Sequence, residues 1–271
     1  MTATLAPTVP SAPEAAVRRR SVGLLSATAA LARQKVATGF RTGDAMFATL
    51  SPVVFFLCFY VPLHRRFEAA GGDYAQFLTP IIFLQTGIFT AIAATEVAGA
   101  DARAGVRERL MSLPIPRVSP ILGRMVWVVV RMCLAVCGGL IVGFSLGFRF
   151  HGDAADTIGF LVLVVLFGLA LSLLTDAAGS VAASSVAVAS VLMIPQLILV
   201  MASTGLVPAE SFPGWIQPFV RNQPLSVFSD ALRALSTGAD LNPTAVIWWA
   251  VGLLAAGALA VAAVARRQAA R

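Results

Sequence analysis

The sequence predicts an all-α integral membrane protein: six transmembrane helices preceded by an amphipathic interfacial helix, with short outer-leaflet helices between the fifth and sixth spans. Three observations carry this. Of 271 residues, 58% are hydrophobic and only 12% are charged, against roughly 25% charged in soluble domains. Six apolar runs approach the ~20 residues that a helix needs to cross the hydrocarbon core. The basic residues cluster in the pieces between alternate runs, as the positive-inside effect requires.

Met1 to Arg20 is rich in Ala, Pro and Thr and ends in Arg18-Arg19-Arg20. No apolar stretch follows these charges directly, so residues 1–20 read as a disordered cytoplasmic tail rather than a cleavable signal peptide. Residues 21–44 fit an amphipathic helix. Leu25, Ala29, Ala32, Val36 and Phe40 form one stripe at helical spacing, with Gln34, Thr38 and Arg41 opposite and Arg33 and Lys35 at the flanks. Such a helix lies in the cytoplasmic interface; a soluble helix packed on a partner is the alternative.

Residues 45–265 form the membrane domain. The predicted spans are Ala45–Leu63, Phe77–Val97, Met125–Phe148, Ile158–Thr175, Val186–Leu206 and Ala245–Ala265, and the short fourth one extends toward Ala178. Residues 266–271 form a cytoplasmic C-terminal tail. An even number of spans puts both termini on one side. With the termini inside the plasma membrane, fourteen basic residues fall on the cytoplasmic side and five outside, and Arg131 lies within the third span. That bias sets the orientation. The net charge of +7 is explained by membrane topology and membrane lipids, not by nucleic acid. Cys58, Cys133 and Cys137 all lie in apolar segments without His or carboxylate neighbours, which fits packing and no metal site.

The outer connection, Pro208 to Gly238, carries Trp215, Ile216, Phe219 and Val220 at headgroup level. Pro224 suits the first turn of a helix, Leu225, Phe228, Leu232 and Leu235 make an apolar stripe, and Gly238 suits its end. One or two short helices in or dipping into the outer leaflet are expected.

The central cytoplasmic loop, Asp101 to Arg124, is the longest polar interruption in the first two thirds of the chain. Asp101 to Leu110 can form about two helical turns, with Val106 and Leu110 four apart on one face. Pro114 and Pro116 then stop the helix, since proline lacks an N–H and disfavours a helical residue before it. This segment reads either as a handle for a cytoplasmic partner or as a solvated linker that sets topology.

No catalytic residue is expected. The single lysine, Lys35, follows Gln34, so no phosphate-binding P-loop exists. His64 and His151 sit at the outer interface without a nucleophile beside them.

Three stretches carry a family resemblance: Asp101–Arg124, with Gly105, Arg109, Ser112-Leu113-Pro114 and Arg117; Gly143–His151; and Ser203–Leu235, with Ser203-Thr204-Gly205, Pro213-Gly214-Trp215, Gln223-Pro224 and Ala231-Leu232-Arg233-Ala234-Leu235. In this order across six spans, the chain resembles permease subunits of the ABC-2 class of ATP-binding-cassette exporters, and most of all the actinobacterial daunorubicin/doxorubicin-resistance permeases. It departs from them at Pro80-Ile81, where many relatives have Pro-Gly, and at Gln223-Pro224, where many have Asn-Pro.

The resemblance implies an exporter whose cargo is a drug such as an anthracycline, or a cell-envelope lipid such as phthiocerol dimycocerosate. It implies a separate cytoplasmic ATPase, in two copies, that holds ATP and Mg, and a second homologous permease chain, giving a heterodimer. The ATPase-coupling residues expected are Asp101, Arg103, Gly105, Arg107, Glu108, Arg109, Leu113, Pro114 and Arg117. In the family the second and fifth spans face the partner permease and line the path, which points to Phe83, Gln85, Phe89, Met193, Gln196 and Met201. The ionisable residues at membrane depth are Glu96, Arg131 and Asp176. A charge there needs a partner, and Arg131 is expected to pair with Glu96 or Asp176 and lock helices together. Two other readings are a secondary transporter, which would favour several carboxylates near the midplane, and a non-transporting scaffold.

Overall fold

The computed structural model describes residues 23–69, 72–111, 113, 115–116, 118–182, 184–241 and 243–269. Ten α-helices occupy the described residues: α1 (Leu24–Arg41), α2 (Asp44–Ala69), α3 (Tyr74–Arg103), α4 (Val106–Met111), α5 (Ser119–Ser145), α6 (Ala154–Val181), α7 (Ser185–Met201), α8 (Gln217–Asn222), α9 (Pro224–Thr237) and α10 (Pro243–Ala269). The expected tail at residues 1–20 lies outside the described residues.

Five helices, α2, α3, α5, α6 and α10, are long and apolar enough to cross a membrane. The expected fifth span is α7, which has 17 residues, or ~25 Å at 1.5 Å per residue. The chain leaves the helix at Ala202, and Ser203–Leu206 forms a turn rather than a continuation of the span.

The helices are not equivalent. In the span of α3, 78% of the most apolar stretch is buried inside the chain, against 17% for α2 and 11% for α10. The second span is therefore the axis of the bundle, packed against α2, α5, α6, α7 and α9. The outer helices turn their apolar faces outward: Val54, Val61, Ile194, Leu197, Ile247 and Trp248 are all exposed. In a bilayer this is the ordinary arrangement, because lipid is as apolar as the side chains.

The core is aromatic toward the end of the bundle opposite α1. Phe83, Phe148, Phe150 and Phe160 pack edge-on, with centroids 5.0–5.7 Å apart, a favourable geometry for rings with electron-rich faces. Phe148 was expected to end the third span. Instead α5 stops at Ser145, Gly147 turns the chain at φ +113°, and Phe148 folds back to bury completely.

α1 packs on the bundle through a face other than its large apolar stripe. Most of the predicted stripe faces outward: Leu25 is 85% and Phe40 is 55% exposed. The face that packs holds Ala27, Ala32 and Gly39 and lies on α5. A Cβ at Gly39 would stand 2.0 Å from the Trp127 ring, so only glycine allows the approach. Small residues bring the backbones together, and the larger apolar stripe is left for lipid.

The connection between the last two spans contains the expected short helices, α8 and α9. α9 does not lie on a surface. It packs against α3 and α6, with Leu225, Phe228 and Leu232 essentially inaccessible. Pro224 opens it and Gly238, in the left-handed conformation, closes it.

Candidate functional site

The basic end of the bundle carries α1, the last turn of α3, α4 and the first turns of α5. The expected helix over Asp101–Leu110 is divided in two. Asp101 and Arg103 belong to the last turn of α3; Ala104 and Gly105 make a turn, with Gly105 at φ +61°; and α4 begins at Val106. The short helix is therefore a separate six-residue piece, hinged to the most buried helix of the fold.

Asp101 is the node of a chain of charges. Its two carboxylate oxygens accept from Lys35 Nζ of α1 at 2.6 Å and 2.7 Å. Arg124 of α5 stands 3.7 Å away. Arg124 in turn forms a fork with Asp176 of α6, Nε and Nη2 donating at 2.6 Å and 2.8 Å. This is the planar two-bond match that a guanidinium makes with a carboxylate. On the other side of the same turn, Arg103 donates to Ser185 Oγ at 2.9 Å, at the first residue of α7. The root of α4 thus has direct polar ties to α1, α5 and α7, and reaches α6 through Arg124.

This arrangement corrects the expected intramembrane pairing. Arg131 pairs with Asp44, the first residue of α2, and not with Glu96 or Asp176. Trp127 Nε1 also donates to Asp44, at 3.2 Å. Asp176 is taken by Arg124, and Glu96 is exposed. Lys35, Asp44 and Arg124 are the partners that sequence reasoning missed. The available signal was direction: the first and third spans run the same way, so a charge at the start of one can meet a charge inside the other.

Between α4 and these charges lies a cavity of about 300 Å³. Lys35, Asp101, Arg124 and Asp176 line it with Val106 and Leu110 of α4, Leu31 of α1, Ile121 of α5, and Val261 and Val264 of α10. Of the other expected coupling residues, Leu113 is half exposed at 52%, and the backbone N–H of Arg109 donates to the Gly105 carbonyl at 3.2 Å. The side chains of Arg107 and Glu108, and all of Pro114 and Arg117, lie outside the described residues.

The expected path residues do not converge. Phe83 and Gln85 are buried inside the chain on α3, Gln196 is buried on α7, and Phe89 packs at a tilt against Phe55 with centroids 5.1 Å apart. Met193 and Met201 of α7 are 45% and 46% exposed. Phe83 belongs to the hydrophobic core of the chain, because α3 is the bundle axis.

At the opposite end, the quoted motifs meet in one polar cluster. Gln223 Nε2 donates to the carbonyls of Leu199 and Ala202, closing the last turn of α7 where carbonyls have no helical partner. Thr204 Oγ1 donates to Asp230 at 3.1 Å, and Arg233 pairs with Asp230 at 2.8 Å while its guanidinium lies 4.2 Å over the Phe77 ring. Burial raises the Asp230 carboxyl above its usual range against the lowering effects of Arg233 and Thr204, and burial lowers Arg233. His151 N–H donates to the Ser236 carbonyl, and Gln76 bonds both Ser236 Oγ and the Arg149 N–H. The Gly143–His151 stretch is thereby tied to α9 and α3.

Among the described residues no three His, Cys, Asp or Glu side chains converge on a point that could hold a metal. The basic end carries a short, separate helix whose root is tied to α1, α5 and α7.

Comparison with known proteins gives a consistent answer. A family model described as ABC-2 family transporter protein matches residues 60–266. The doxorubicin resistance ABC transporter permease protein DrrB of Mycobacterium tuberculosis is 34% identical over 227 residues, covering 80% of this chain and 78% of that protein. The probable doxorubicin resistance ABC transporter permease protein DrrC of the same species is 33% identical over 151 residues, 55% of this chain and 54% of that protein. The daunorubicin resistance ABC transporter permease protein DrrB1 of Streptomyces coeruleorubidus is 29% identical over 215 residues, 78% and 74% of the two chains.

Proposed function

The chain belongs to the ABC-2 family of transporter proteins, and from that premise we propose that it is the transmembrane permease subunit of an ATP-binding-cassette exporter. It moves a hydrophobic or amphiphilic cargo outward, using ATP hydrolysed with Mg on a separate cytoplasmic ATPase present in two copies. The basic end faces the cytoplasm, with both termini on that side, in keeping with the fourteen-to-five distribution of basic residues.

The observation that carries this reading is α4. A rigid helix joined by short connections to the second and third spans can pass a push from the ATPase into the bundle, because packed elements move as units. Asp101 and Arg103, one turn before it, carry polar ties to α1, α5 and α7, and Arg124 extends them to α6. A loop that served only topology would need none of these.

The chain pairs with a second permease, homologous but different. The exposed apolar face of α7, including Ile194, Leu197 and Ile198, supplies a surface for that partner. Two permeases of one organism, DrrB and DrrC, each match this chain, which favours a heterodimer. The cargo follows the relatives' names: doxorubicin- or daunorubicin-like drugs, with cell-envelope lipids as the second candidate.

The test is a charge reversal on the short helix, Arg109→Glu. The variant still reaches the membrane, but export falls and cargo no longer stimulates ATP hydrolysis. Normal export by this variant, with normal stimulation, contradicts the coupling role.

A further inference from the structure

We propose that the cavity beneath α4 is a binding site for a monocationic amphiphile, in which the ligand's ammonium group takes the place of Lys35 on Asp101. The proposal rests on the permease reading only for its meaning, as the inner loading site; the binding itself stands on the geometry.

The cavity of about 300 Å³ is at the small end of ligand sites, which run from roughly 300 to 1,000 Å³. Its walls are Leu31, Val106, Leu110, Ile121, Val261 and Val264, and its charges lie together at Lys35, Asp101, Arg124 and Asp176. That division suits a ligand with an apolar body and one polar end.

The sign of the polar end follows from which charge can leave. Asp176 is 2% exposed and held by two bonds from Arg124, so that pair is closed. Asp101 is different. Its oxygens accept bonds of 2.6 Å and 2.7 Å from the Lys35 ammonium and have only a longer, 3.7 Å contact with Arg124, which is already forked to Asp176; the Lys35 and Asp101 side chains are 21% and 19% exposed. Lys35 hangs on a four-carbon stem from α1, so it can swing into water. Asp101 has one methylene and is fixed to α3, the buried axis of the bundle, so it stays. The vacated position is the place of an ammonium beside a carboxylate. An incoming cation restores the charge balance; an anion would face Asp101 itself.

α4 forms one wall through Val106 and Leu110. A ligand in the cavity therefore touches the same helix that we assign to the ATPase, which gives occupancy a direct means of being sensed.

The experiment measures binding of 9-aminoacridine, a planar monocation whose charge is shared with an exocyclic NH2 that can donate to Asp101 as the ammonium would, to the full-length chain with its co-purified partners in lipid nanodiscs, by fluorescence polarisation. Acridine, the uncharged ring at mildly alkaline pH, is the control. Lys35→Met removes the competing ammonium and tightens binding by about fivefold or more, since an ion pair that keeps some exposure is worth at least a fraction of a tenfold change. Asp101→Asn weakens it by about tenfold or more, as expected for loss of a charge-assisted bond. Acridine binds more weakly and responds to neither change. A gain of affinity in Lys35→Met cannot arise from misfolding, so that variant decides. Unchanged or weaker binding by Lys35→Met, or acridine binding as tightly as 9-aminoacridine, overturns the site. Cargo-stimulated ATP hydrolysis on the same samples separates this from the permease reading. A complex that responds to cargo yet fails the Lys35→Met test loses the site and keeps the function. The predicted binding pattern in a chain that recruits no ATPase supports the site and removes the function.

Discussion

Arg124 and Asp176 are joined by a two-bond fork, 2.6 Å and 2.8 Å, that closes the third and fourth spans on each other at the basic end of the bundle. Asp176 is 2% exposed and Arg124 12%. Removing one partner leaves the other charge buried and uncompensated, which costs about 3–5 kcal/mol. Arg124→Met and Asp176→Asn should each lower thermal stability in detergent by an amount in that range. The double replacement Arg124→Met with Asp176→Leu should recover most of it, since an apolar pair of similar size often replaces a buried ion pair without loss. Equal stability of the single variants and the wild type would show that the pair contributes nothing.

Gly205 follows the end of α7 and lies against Ile81 of α3, where an added Cβ would meet three atoms of the isoleucine at 2.6–2.8 Å. Ile81 is 1% exposed and has little room to retreat. Gly205→Ala should therefore destabilise by roughly 1–3 kcal/mol, the usual range for overpacking. Ile81→Ala in the same chain should relieve it. Thermal unfolding of the single and double variants checks this: a double variant less stable than the sum of its parts would contradict the steric account.

Orientation has its own test. In a chain with Cys58, Cys133 and Cys137 replaced, a cysteine at Ala104 should label only from the cytoplasm and one at Glu210 only from outside. Both positions are exposed. The reverse pattern would invert the topology.

Much of this architecture is legible in the sequence, and the gaps have physical causes. Apolar runs define the spans because a helix must stay apolar across about 30 Å of hydrocarbon. The end of the fifth was misplaced because Ser203, Thr204 and Gly205 are apolar or small enough to continue a span, while the stop comes from Gln223, twenty residues later, bonding the carbonyls of Leu199 and Ala202. Pairing was the least legible feature. Arg131 needed a partner by burial alone, yet its identity, Asp44, depends on which helices are neighbours and how α1 leads into α2. The path residues fared similarly: hydropathy cannot distinguish the buried α3 from the peripheral α10, since both are apolar throughout. On α1 the contact with α5 is made by small residues, Ala32 of the apolar stripe with Ala27 and Gly39 beside it, which hydropathy alone does not single out.

The central claim is that α4 touches the ATPase. A photo-reactive amino acid in place of Arg109, on α4, tests it in intact membranes containing the assembled exporter. On irradiation the account predicts a covalent adduct between this chain and the ATPase polypeptide, and a yield that changes when ATP is added. Adducts confined to lipid or to the chain itself would contradict it.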